Sequence, residues 1–207
     1  MREFNETSFW KIFDIIIKNF AQLPTIGIKT AQKFFEDLIE NNSKIEDLIK
    51  TLQTINSCFK KCPNCLCLIY LNKCLNCENV LSFKNRLLVI NSLNVFLNLI
   101  KNEFKTSLFF NFEKEISISK NITLKKLPIQ KLIAFIKNNP SINEIILMFN
   151  FTAEGELTKN LLFSVLKKQF PNLKITSLAK GISKGSAVSY LDQYTFKKAF
   201  MNRKDVK

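Results

Sequence analysis

Six cysteines fall between residues 58 and 77, and four of them have a spacing that chemistry can use. Cys62-Pro63-Asn64-Cys65 and Cys74-Leu75-Asn76-Cys77 are two CxxC pairs with an eight-residue insert between them. Each pair presents two thiolates about one tight turn apart. Together they supply the four sulfurs of a tetrahedral Zn²⁺ site, with no position left open for water. The expected site is therefore structural, one Zn²⁺ per chain. Asn64 and Asn76 suit the knuckle turns, because asparagine tolerates a left-handed backbone. Cys58 and Cys67 keep other readings open: Cys58 and Cys62 form a CxxxC pair that competes as a ligand set, and free or disulfide-bonded thiols are the alternative to a metal.

Two further groups could do chemistry. In Leu23-Pro24-Thr25-Ile26-Gly27-Ile28-Lys29, a glycine-bearing turn separates two helical patterns, a helix-hairpin-helix arrangement. Such a turn leaves the first N–H groups of its second helix free, and with the helix dipole these suit a DNA phosphate. Lys29 and Lys33 stand four residues apart, on one face beside Gly27. A plain helical hairpin with solvated lysines is the competing reading. Glu154 and Glu156 could hold Mg²⁺ for phosphoryl transfer. A two-metal site needs more acids nearby, and Asn91 offers an amide where one is wanted. Acids at a helix start are equally expected from the dipole alone.

The elements that must position these groups follow from periodicity. Phe9, Ile12, Phe13, Ile16, Ile17 and Phe20 predict a helix over 7–21 with that stripe buried. Ala31, Phe34, Phe35, Leu38 and Ile39 mark the buried side of the next helix. Ser43 and Glu46 predict a capping box for a third, near 43–56. Beyond the cysteines the pattern changes. Leu87 to Ile90 is a short apolar run typical of a strand buried on both faces, and a helix follows from Leu93 to Phe104. Strands are expected at Ser107–Phe112, Glu115–Ser119, Glu144–Phe149, Leu173–Leu178 and Ser189–Asp192. Helices are expected from Pro128 to Lys137, Gly155 to Phe170 and Gln193 to Met201. The alternation predicts an α/β fold with a mostly parallel sheet. In such sheets ligands sit beyond the carboxyl ends of the strands, here Asn91, the turn 150–156 and the loop 180–186.

Composition is compatible with DNA as a partner. The net charge is +14, distributed as −1 over residues 1–57, +4 over 58–90 and +11 over 91–207. Lysine outnumbers arginine 28 to 3, so base-composition drift accounts for part of that charge, and contacts in the first third must rest on placement. Residues 1–6 carry no signal-peptide pattern, and no apolar run is long enough to span a bilayer. A soluble cytoplasmic chain is expected.

The stretch Leu23 to Lys33, the four-cysteine spacing, Thr152-Ala153-Glu154-Gly155-Glu156-Leu157-Thr158, the Ala179-Lys180-Gly181 loop, and Asp192, Thr195 and Arg203 together resemble the RecR family of bacterial recombination mediators. The resemblance implies a helix-hairpin-helix domain (1–57), a zinc finger (58–80), a Toprim α/β domain (81–178) and a C-terminal strand and helix (179–207) that packs on a neighbouring subunit. It implies no turnover, a homo-oligomer (a dimer or a tetrameric ring) that accommodates DNA, and work with RecO, and with RecF where present, to load RecA. Lys29 and Lys33 match the family's basic DNA contacts, and Cys62, Cys65, Cys74 and Cys77 match its zinc ligands. Departures from the pattern are Asn91 and Asn94 in place of acids, Thr25 and Ser186 in place of glycines, Phe151 in place of a proline, and a glycine-free segment from Phe110 to Ile118. Loss of acids argues against the alternative function, a Mg²⁺-dependent Toprim nuclease or primase-like enzyme using Glu154 and Glu156. It also bears on partner docking, since the family's Toprim surface meets RecO with acidic groups.

Overall fold

A computed structural model describes residues 6–78, 85–101, 107–117, 119, 121–179 and 192–201. The chain divides into two compact units, Met1–Cys58 and Phe59–Lys207.

The first unit contains α1 (Glu6–Ala21), α2 (Ile28–Glu40) and α3 (Asn42–Cys58). Ile17 and Ala31 are enclosed between α1 and α2, and Phe13 meets Phe35 edge-on at 5.1 Å. The turn between these helices places Thr25 at φ 68°, a left-handed conformation that a β-branched residue adopts only under constraint. Thr25 is one of the two positions, with Ser186, where the resemblance to the family pattern predicts a glycine and this chain has another residue. Asp37 joins α2 to α3, accepting Lys44 Nζ at 2.6 Å and Asn41 Nδ2 at 3.3 Å.

Burial in this unit is thinner than the apolar stripes predict. Phe9 and Ile12 are 45% and 56% exposed, Phe34 and Ile39 are exposed as well, and α3 has no buried residue. A unit this small has little interior, so an amphipathic stripe can form a helix without being covered. α3 begins at Asn42, which puts Ser43 inside its first turn instead of at the cap.

The second unit opens with a small antiparallel sheet of β1 (Phe59–Lys61), β2 (Leu68–Tyr70) and β3 (Lys73–Cys74). The main sheet follows, with β4 (Arg86–Ile90), α4 (Leu93–Ile100), β5 (Leu108–Asn111), α5 (Ile129–Lys137), β6 (Glu144–Met148), α6 (Ala153–Gln169), β7 (Lys174–Ser177) and α7 (Gln193–Met201). Its four strands are parallel, in the order β5-β4-β6-β7. The α/β architecture expected from the alternating pattern is thus present. Leu87 to Ile90 on the interior strand β4 are at most 1% exposed, which explains why β4 reads as an unbroken apolar run. Asp192 caps α7, its Oδ1 accepting the Thr195 N–H at 2.9 Å.

Some elements differ from expectation. No strand forms over Glu115–Ser119 among the described residues; the chain turns away through Glu113 at φ 67°, and Ser117 makes one isolated bridge to Ile122. α4 runs only to Ile100. Phe104, loop residues Lys180 to Ser186, the expected strand from Ser189 to Leu191, and Arg203 lie outside the described residues.

The cysteine knuckle is joined to the edge strand β5. Asn76 is 2% exposed, and its side chain pairs with Phe109 as a peptide group would: Nδ2 donates to the Phe109 carbonyl at 2.8 Å and Oδ1 accepts the Phe109 N–H at 2.9 Å. The Asn111 N–H donates to the Cys65 carbonyl at 2.9 Å, and Asn111 Nδ2 to the Leu66 carbonyl at 3.2 Å. These bonds satisfy an edge that would otherwise be open to other chains. They also correct the role expected for the knuckle asparagines. The left-handed residues there are Leu66, Leu71 and Asn72, while Asn76 works through its side chain.

Candidate metal centre and nucleic-acid interface

The first CxxC pair lies in the turn between β1 and β2, and the second starts on β3. Pairing of Lys61 with Leu68 and of Ile69 with Cys74 brings the two pairs together. The sulfurs of Cys62, Cys65, Cys74 and Cys77 all lie within 4.8 Å of one another, with 3.6 Å between Cys65 and Cys74 and 4.0 Å between Cys62 and Cys77. A tetrahedron with metal–sulfur bonds of about 2.3 Å has edges of about 3.8 Å, so the set fits a thiolate-bound metal with small adjustments. The Cys77 N–H donates to Cys74 Sγ at 3.4 Å, a bond to sulfur that helps hold a thiolate in place.

Before metal binds, these thiols perturb one another. Cys65 accepts from Cys67, Cys74 and Cys77, which holds its thiol well below the usual range. Cys74, bonded to Cys65, is pushed up to about 11. Cys77 is raised by the same neighbour and by Cys74. Cys67 is fully buried and raised, first by its bond to Cys65 and then by burial. Neither Cys58 nor Cys67 belongs to the four-sulfur group, and all six cysteines are free of disulfides.

At the hairpin, Lys29 and Lys33 are exposed on the first turns of α2. Gly27 is the N-cap of α2, with extended backbone at φ −88° and no side chain to accept the free N–H groups. No acidic residue lies in that first turn to compete for them. A Cβ added at Gly27 would meet nothing within 4 Å. Packing inside the unit therefore makes no demand for glycine there.

Glu154 and Glu156 separate. Glu156 pairs with Lys159 at 2.5 Å, whereas Glu154 is exposed at the rim of a cavity of about 450 Å³ beyond the carboxyl ends of β4 and β6. That cavity is also lined by Asn91, Asn150, Glu113 and Glu115. Glu115 comes from the start of a segment expected to form a strand and Glu113 from the gap just before it; the sequence signal for them was the appearance of acids at 113 and 115 in a chain with amides at 91 and 94. Glu113 is ion-paired with Lys61, and Glu115 accepts from Asn91 and Asn150. Among the described residues the four cysteines are the only group of three or more potential ligands within metal-binding range.

The Recombination protein RecR of Mycoplasmopsis pulmonis is 30% identical over 192 residues, which cover 92% of this chain and 97% of that protein. The chain belongs to the RecR family. The RecR of Finegoldia magna is 27% identical over 199 residues, covering 95% and 98% of the two chains, and that of Aquifex aeolicus is 26% identical over 201 residues, covering 96% and 94%. The chain matches no family model. Membership of RecR supports a role in recombination and repair, and it extends over both compact units. No helix among the described residues is long and apolar enough to cross a membrane.

Proposed function

We propose that this chain is a non-enzymatic recombination mediator, a homo-oligomeric clamp that grips DNA phosphates without reading sequence. Family membership supports the role, and the hairpin is the observation that carries the mechanism. An uncapped helix start, free of acids and flanked by exposed Lys29 and Lys33, offers N–H donors and two cations to one phosphate track. Close approach of the backbone at Gly27 gives that glycine a purpose that the fold does not require. The metal is Zn²⁺, which suits four thiolates and needs no open position. It holds the knuckle rigid beside β5, to which Asn76 and Asn111 already tie it. Partners are a RecO-like protein, docked in part through Glu154 and Glu156, and a RecF-like protein where one is present, with RecA loading as the outcome in the cytoplasm.

Fluorescence anisotropy with labelled single- and double-stranded DNA across a salt series tests this reading. Wild-type log K should fall by about 0.7–0.9 per phosphate neutralised per log unit of salt. The Lys29→Ala/Lys33→Ala protein should bind more weakly and show a slope shallower by about 1.4–1.8. Gly27→Ala should fold normally and still lose affinity. Unchanged affinity and slope in the double variant would move the DNA site off the hairpin.

A further inference from the structure

One carboxylate in the second unit is used neither by the knuckle nor by the hairpin, and it joins three loops. Glu115 Oε1 accepts Asn91 Nδ2 at 2.9 Å and the Asn150 N–H at 2.9 Å, while Oε2 accepts Asn150 Nδ2 at 3.2 Å. Asn91 follows β4, Glu115 comes after β5, and Asn150 comes after β6. These are the loops that surround the carboxyl-end cavity, on either side of the point where strand order reverses. The next residue is anchored too: the Ile116 N–H donates to Thr158 Oγ1 at 2.8 Å, and Thr158, on α6, is fully buried.

We propose that Glu115 is a positioning residue that fastens the β4–α4 and β6–α6 loops to the segment after β5, and that this tie takes the place of a divalent cation in the cavity. A carboxylate has about four lone-pair directions, and three N–H donors occupy most of them. A hard cation needs carboxylate oxygens turned toward it at about 2.0–2.1 Å for Mg²⁺. Here the Asn91 amide points its positive end at Oε1. The other acids do not compensate, since Glu113 is committed to Lys61 and Glu154 stands exposed at the rim. The cavity thus carries acidic residues without presenting a cation site, and its loops are set by protein groups alone.

The test uses the full-length, metal-loaded protein and hydrogen exchange over residues 91–96 and 150–155. In wild type, millimolar Mg²⁺ should leave exchange unchanged. Glu115→Ala should speed exchange at 150–152 by about tenfold, while the exchange of the hairpin helices stays the same. Asn91→Glu distinguishes this tie from a generic structural contact, because it sets a second carboxylate against the first. That variant should lose protection without Mg²⁺ and recover it with Mg²⁺; Asn91→Asp serves the same purpose if it does not fold. Mg²⁺-dependent protection in wild type, unchanged exchange in Glu115→Ala, or Mg²⁺ indifference in the folded position-91 variants would each overturn the proposal.

Discussion

Replacing Gly155 with alanine sets two physical effects against each other, and the structure decides the sign. Gly155 lies in the first turn of α6, where helix propensity alone favours alanine by about 1 kcal/mol. A Cβ built at this position falls 2.1 Å from the Asn150 carbonyl oxygen and 2.9 Å from its carbon. Backbone cannot rotate out of the way as a flexible side chain can, so α6 or the Asn150 turn must shift by about 1 Å, at a cost of about 1–3 kcal/mol. Asn150 also supplies two of the three bonds to Glu115, and displacing it forfeits about 0.5–1.5 kcal/mol for each. Less the propensity gain, the loss comes to about 1–5 kcal/mol, centred near 3 kcal/mol. Because the chain holds two compact units, one global unfolding curve is a poor probe. Native-state hydrogen exchange at the buried β6 residues Ile145 and Leu147 reports on the second unit itself, and protection there should fall by about a hundredfold. Protection that stays level or rises would show that propensity outweighs the contact, and the close approach of α6 to the 150 turn would lose its structural meaning.

Two further outcomes follow from the knuckle. Asn76→Ala removes both bonds to Phe109 and leaves a buried peptide group unpaired; about 1–3 kcal/mol should be lost, seen as faster exchange along β5 with the four-sulfur site still able to take up metal. Metal uptake must displace protons from Cys74, which is pushed up to about 11, and from Cys77, which is also raised. Affinity should therefore climb with pH near neutrality, by about two log units or more per pH unit, in a chelator competition at pH 6, 7 and 8; a flat profile would contradict the shared-proton picture of the sulfur cluster.

Local pattern was enough to identify much of this protein. Two CxxC pairs define a four-sulfur site because cysteine spacing limits where thiolates can go. The apolar run at Leu87 to Ile90 specified a buried parallel strand, since only burial on both faces removes the alternation. The hairpin was legible from Leu23 to Lys33 because turn, helix start and lysine spacing are all properties of a few consecutive residues. Other features required the chain to be folded. Asn76 reads as a turn residue, yet its role is to pair with a strand more than thirty positions away. Glu115 reads as part of a strand, yet the turn at Glu113 sends it to meet Asn91 and Asn150. Helical periodicity marked the stripes of α1 and α3 without saying what covers them, because a repeat of 3.6 residues records a face and not its neighbour. What the sequence determined by itself was short-range: ligand spacing, helix starts and strand burial. Which amide satisfies which carboxylate, and which glycine has no room for a methyl group, were decided only when distant segments met.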